Sequence, residues 1–214
     1  MTMAFRRCLA IGLVGLVLTA AVGGSLRAAD PLEARAETFI ASLADKAVQA
    51  LTVEGAERAE RVSRFRRLFN DHFAVHGIAK WVLGRYWRRA SPDERGEYLI
   101  LFEDMIVVSY VDRFASYTGE ALAITKTVAL NDESAMIYSE IVRPTGGPPV
   151  RVDWRVATED GGLRIVDVVV EGTSMSTTLR SDFGSIIRRE GGKVAGLLKV
   201  LRDKTKSLRQ DLGK

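Results

Sequence analysis

"VRVDWRVATEDGGLRIVDVVVEGTSMS", residues 150–176, is the stretch whose reading decides the fold. Val150, Val152, Trp154 and Val156 alternate with Arg151, Asp153 and Arg155. Apolar and charged residues with a period of two describe a strand in a sheet with one wet face. Glu159-Asp160-Gly161-Gly162 is hairpin-turn chemistry, so the run "LRIVDVVV" returns antiparallel. Its alternation changes phase between Ile165 and Val166, which marks a bulge or a strand buried on both faces. The run ends at Glu171-Gly172, where the glycine permits a sharp turn. Ser174 then fits the N-cap of a helix opening at Met175.

Upstream the same period recurs. Leu122, Ile124, Val128 and Leu130 alternate, with Lys126 opposing the pattern. Asn131-Asp132 is a turn signal. "SAMIYSEIVRP" forms the next strand, and "PTGGPP" loops to the one quoted above. The expectation is an antiparallel sheet of about four strands.

Before the sheet the period is helical. Pro31 opens a helix carrying Phe39, Leu43, Ala47 and Leu51. In "ERAERVSRFRRLFNDHF", Val62, Phe65, Leu68, Phe69 and Phe73 take one side; Arg58, Arg61, Arg64, Arg66 and Arg67 take the other. Gly77 is expected to end that helix, and Gly84 to stop a short apolar one over Ile78–Leu83. Ser91, Pro92 and Glu94 make an N-cap, first helical position and capping box. The helix they start is apolar nearly all round from Tyr98 to Phe114, so it is buried or lines something apolar. Glu103 and Asp104 within it argue against a membrane span. After the sheet come a helix to about Arg189, the Gly191-Gly192 break, and a last helix. Its stripe is Val194, Leu197, Leu198, Leu201 and Leu208, backed by Lys199, Arg202, Lys204 and Lys206. Helices, meander, helices is an α+β arrangement in one domain, residues 30–214.

Residues 1–29 read as a secretory signal peptide. Arg6 and Arg7 precede the uncharged run Cys8–Val22, and small residues follow to a cut after Ala28 or Ala29. Removing Arg6, Arg7 and Arg27 takes the 31 Lys+Arg to 28 against 27 acids, so the net charge falls from +4 to about +1. No basic field remains to hold nucleic acid. Cys8 leaves as well, and with it any disulfide, thiolate or cysteine metal ligand.

Catalytic signals are weak. His72 and His76 have the spacing of a zinc pair on one helix face, but Phe73 stands where that motif needs a glutamate. The plainer role of this pair is capping helix-end carbonyls. "EGTSMS" lacks the second glycine of a nucleophile elbow. Asp167 or Glu171 could act as a base in an apolar pocket, which keeps open an enzyme of similar α+β build. No phosphate-cradling loop or dinucleotide fingerprint is present, so no metal and no cofactor is expected.

"VLGRYWRRASPDERGEYLILFEDMIVVSYVDRFASYTGE", "VRVDWRV", "LRIVDVVVEGTSMSTTLRSDFGSIIRREGG" and "GLLKVLRDK" together resemble the MlaC (toluene-tolerance) family of periplasmic lipid carriers. The more specific pieces are Leu83-Gly84-x-x-Trp87 and Asp167…Gly172…Ser174…Arg180-Ser181…Phe183. Thr173, Met175 and Leu179 depart from the more typical residues, as a divergent branch such as a hopanoid-associated one would. The resemblance implies an NTF2-like-related fold with an apolar pocket between sheet and helices. It also implies a phospholipid held by its acyl chains and exchanged between an inner-membrane MCE-domain ABC transporter and an outer-membrane lipoprotein complex. Such carriers help keep outer-membrane lipid asymmetry and have no catalytic residues.

On that basis Val166, Val168 and Val170 are expected to face lipid tails or the core beneath them, with Val152 and Trp154 beside them and Met175 as adaptable lining. Phe102, Met105, Ile106 and Tyr110 would form the facing wall, and Trp81 would stand near the mouth. Arg180 is expected to pair with an acid and lock its helix; its bolder role is to meet a headgroup phosphate.

Overall fold

The computed structural model describes residues 30–115 and 119–210. The expected signal peptide lies outside them. Helices α1 (Leu32–Leu51), α2 (Arg58–His72) and α3 (Val75–Leu83) lead through a 3₁₀ turn, Gly84–Arg88, to α4 (Pro92–Ala115). Strands β1 (Ala121–Asn131), β2 (Ser134–Val142), β3 (Val150–Glu159), β4 (Gly162–Val170) and β5 (Thr173–Ser174) follow, then α5 (Met175–Arg189) and α6 (Val194–Gln210). The sheet runs β1-β2-β3-β4-β5, antiparallel throughout.

The turns follow from residue chemistry. β3 and β4 close over Asp160-Gly161 with φ of 49° and 79°, and β4 and β5 close over Glu171-Gly172 with φ of 48° and 77°. Positive φ at both central residues is the two-residue hairpin turn whose twist matches that of the strands. The sequence expectation of about four strands becomes five, because Thr173 and Ser174 pair with Val170 and Val169 before α5 begins. Three register shifts set the faces. One lies between Ile124 and Lys126, so Val128 turns to the opposite side from Leu122 and Ile124, and a second lies between Ala129 and Asn131, at Leu130. The third lies where Arg155 and Val156 meet Asp167 and Ile165, at the phase change in β4.

One sheet face, with Ala135, Ile137, Val156 and Ile165, packs on Ala36, Ile40 and Leu43 of α1. A second apolar cluster joins α3, α4, α5 and α6 around Tyr98, Phe102, Phe183, Leu197 and Leu201. The Tyr98, Phe102 and Phe183 rings sit 5.8–6.4 Å apart, two of the three pairs edge to face. The Tyr98 hydroxyl donates to the Ala79 carbonyl at 3.0 Å. Burial pushes this phenol far above the ordinary tyrosine value.

The capping box starts α4 as expected: Ser91 N donates to Glu94 Oε2 at 2.8 Å, and Glu94 N to Ser91 Oγ at 3.1 Å. The acids that interrupt α4 meet the basic side of α2. Arg66 donates to Glu103 and Asp104 at 2.6 Å each, and Arg58 reaches Asp112 at 3.1 Å. On α6, Arg202 pairs with Glu97 and Arg209 with Asp104, so part of that basic face is engaged within the chain.

The zinc-like spacing dissolves. α2 ends at His72, Phe73 and Ala74 leave the helix, and His76 belongs to α3. Phe73 bridges to Ile165, and Ala74 N donates to the Ile165 carbonyl at 2.9 Å, which ties this junction to β4. Gly77 accordingly lies inside α3 and does not end α2. His72 Nδ1 contacts the Leu68 carbonyl at 2.9 Å, the helix-end role, while His76 packs edge-on to Trp87. Among the described residues no cluster of His, Cys, Asp or Glu is arranged to hold a metal.

Candidate functional site: an apolar strip on the sheet

Register places Val152 beside Val170 and Trp154 beside Val168 on the face turned toward α1. Val168, Val170 and Trp154 are half-buried, whereas Val152, expected beside them as lining, is buried like Ile137, Val156 and Ile165 on the same face. Leu122 and Ile124 of β1 are also half-buried there. Val166 stands at the β4 bulge, half-buried, and Met175 is half-buried at the first position of α5. The face therefore has a packed part and an apolar strip still partly open to solvent.

The strip keeps its polar atoms to itself. The Trp154 indole N–H donates to Ser139 Oγ at 3.0 Å, and Ser139, 1% exposed, donates in turn to the Val152 carbonyl. A buried donor chain closed on the backbone leaves no unpaired indole N–H toward a hydrocarbon ligand. Two recesses are lined largely by charged and hydroxyl-bearing residues: one of about 360 Å³ by Lys126, Tyr138, Ser139, Glu140, Arg151 and Asp153, the other, about 320 Å³, by Leu101, Asp104, Arg202 and Arg209.

The residues expected to form the facing wall divide. Phe102 and Met105 are fully buried in the helical cluster, and Ile106 packs against it. Their contacts are with α3, α5 and α6, because α4 turns this side to its helical neighbours. Tyr110, one turn on, is half-buried.

Trp81 is 47% exposed, and its indole lies beneath the Arg180 guanidinium at 4.7 Å. Arg180 Nη1 donates to the Trp81 carbonyl at 2.6 Å. The partner expected for Arg180 was an acid; it is instead a backbone carbonyl in the last turn of α3 and an aromatic face. A cation at a helix C-terminus is favourable there. The contact ties α5 to the end of α3.

The two carboxylates considered as bases are engaged in local structure. Asp167 accepts from Val168 N at 3.0 Å, Ser174 Oγ at 2.6 Å and Ser176 N at 3.0 Å. Ser174 Oγ accepts from Thr177 N at 3.1 Å, completing the N-cap of α5. Glu171 Oε1 accepts from Arg151 N at 2.7 Å and extends the sheet edge by a side chain. Both groups hold the β4–α5 corner together.

Sequence reasoning missed Ser139 and Gly84. Ser139 reads as an ordinary alternation position in β2, and only its cross-strand place near Trp154 reveals the indole partner. Gly84 reads as a helix stop, but a Cβ there would also lie 2.9 Å from the Arg180 Cζ.

These features define an α+β protein in which one antiparallel sheet carries a partly open apolar face beneath helices, with its polar atoms paired within the chain. A family model described as "MlaC protein" matches residues 41–203. The chain belongs to the MlaC family. It is 24% identical over 113 residues to the intermembrane phospholipid transport system binding protein MlaC of Haemophilus influenzae. That match spans 51% of this chain and about half, 53%, of the relative. A phospholipid-binding protein from Ralstonia solanacearum, solved in complex with a phospholipid, has the same fold: TM-score 0.69, 19% identity, covering 84% of this chain and 99% of that one.

Proposed function

We propose that this protein is a periplasmic lipid carrier, exported by the segment before residue 30, that takes phospholipid acyl chains against the strip of Trp154, Val168 and Val170. Family membership supports the reading. The observation that carries it is the half-buried apolar strip whose indole donor is closed off by Ser139.

The physical need is clear. Exposing hydrocarbon to water costs about 0.8 kcal/mol per methylene. A two-chain lipid with roughly thirty methylenes therefore faces a barrier on the order of 20 kcal/mol when it leaves a bilayer unaided. A carrier replaces bilayer by protein of similar polarity, so that entry and exit are nearly balanced. The protein performs no chemistry on the lipid, and direction comes from its partners. These are an inner-membrane MCE-domain ABC transporter and an outer-membrane lipoprotein complex.

Organic extraction of the purified protein followed by lipid mass spectrometry tests this. Stoichiometric phospholipid is the expected result. A hopanoid in its place would reassign the cargo to that lipid class. Lipid-free protein that takes none from phospholipid vesicles would overturn the reading.

A further inference from the structure

Six arginines among the described residues have carboxylate partners: Arg58, Arg64, Arg66, Arg151, Arg202 and Arg209. Arg85, Arg89 and Arg188 are not among them, yet they gather at one place. Arg85 Nη2 donates to the Tyr86 hydroxyl at 3.1 Å, and its Cζ lies 5.0 Å from the ring centroid. Arg89 Cζ stands 5.9 Å from the same ring. Arg188 comes from the end of α5, whose Ile187 belongs to the same buried cluster as Tyr86. Its Nη2 donates to Ser185 Oγ at 2.8 Å, and its Nη1 lies 3.4 Å from where a Cβ on Gly184 would be.

Tyr86 itself is 6% exposed, while the three arginines are exposed. The Arg85 hydrogen bond, opposed by burial and aided by the fields of Arg85, Arg188 and Arg89, holds the phenol below the ordinary tyrosine value. Three cations converging without a carboxylate repel one another, and two ring contacts offset this only in part. Each keeps several N–H donors in the planar fork that matches a phosphate oxyanion.

We propose that Arg85 and Arg89 at Tyr86, together with Arg188 from the neighbouring end of α5, form a binding site for a phosphate group. The shared chemistry is a phosphate oxyanion, supplied by a headgroup at a bilayer surface or by a free phosphate. The site stands apart from the apolar strip and does not depend on the cargo reading.

The test uses the full purified chain at low ionic strength. Inorganic phosphate is titrated by calorimetry, and co-sedimentation is measured with phosphatidylglycerol-containing and with pure phosphatidylcholine vesicles. Saturable phosphate binding identifies a free-anion site; binding only to the anionic vesicles identifies the headgroup. Either is expected to weaken by about tenfold or more when Arg85, Arg89 and Arg188 are changed to Gln together, since charge-assisted bonds are lost. A control variant, Lys199→Gln with Lys204→Gln and Lys206→Gln on α6, removes the same net charge and is expected to bind like the parent. Equal binding by the arginine variant and the parent, equal loss in both variants, or no binding of either probe overturns the proposal. Lipid extracted from the same preparations reports on the cargo separately.

Discussion

The Arg180 guanidinium lies where a side chain on Gly84 would be: a Cβ at position 84 would stand 2.9 Å from its Cζ and its Nη2. The two residues are far apart in the chain. Their contact joins the end of α3 to α5, with Trp81 as the third member. Gly84 also has φ 57° and ψ −128°, a combination left to glycine.

Gly84→Ala is therefore expected to cost about 2 kcal/mol, from backbone strain plus the displaced guanidinium. Urea denaturation measures it. Arg180→Ala made in the Gly84→Ala background should cost less than in the parent. Strict additivity would show that the contact carries no coupling.

At the β4–α5 corner, Ser174→Ala removes an N-cap and is expected to cost about 1 kcal/mol. Asp167→Ala should cost more, about 2 kcal/mol, because Ser176 N and Ser174 Oγ lose their acceptor together. Thermal melts of both variants check the order. Lipid occupancy unchanged in a folded Asp167→Asn variant is the outcome expected of a structural carboxylate.

Val168→Trp adds bulk to the half-open strip, while Arg155→Trp adds it to the opposite face of the same sheet. The first is expected to copurify with much less lipid at a nearly unchanged melting temperature, and the second to keep its lipid. Equal occupancy in the two would move the cargo off this face.

Glu97 accepts from Arg202, and that bond holds its carboxyl below the ordinary range. A depressed carboxylate pKa adds stability above the unfolded value, and this is lost as pH falls through the folded one. Arg202→Gln is expected to destabilise slightly at neutral pH and to make no difference in acid well below the carboxylate range. Denaturation midpoints across that span give the readout. Exposure of both side chains keeps the effect small.

Arg66 spans α2 and α4 through Glu103 and Asp104. Burial opposes its charge, but the bonds to Asp104 and Glu103 prevail and raise its pKa. Arg66→Met is expected to cost about 1–2 kcal/mol by urea denaturation, because two neighbouring carboxylates lose their shared cation.

What the sequence determined by itself is local. The periods of two and 3.6, the capping box at Ser91, the cap at Ser174 and the glycine turns at 161 and 172 each depend on residues a few positions apart. Physical rules of that range can be read directly from order. The phase change in β4 was legible for the same reason, being a property of one strand, while the choice between a bulge and a strand buried on both faces needed the register with β3.

Tertiary structure decided what depends on meeting at a distance. Nothing local says that Arg66 finds Glu103 and Asp104, 37 and 38 positions away, or that Arg180 finds Trp81, 99 positions away. Apolar character alone could not separate Phe102 and Met105, which fill the helical core, from Val168 and Trp154, which remain on the partly open sheet face. Burial is a property of the assembled layers: the hydrophobic effect drives each of these side chains from water, and only the packing geometry decides which of them protein can cover.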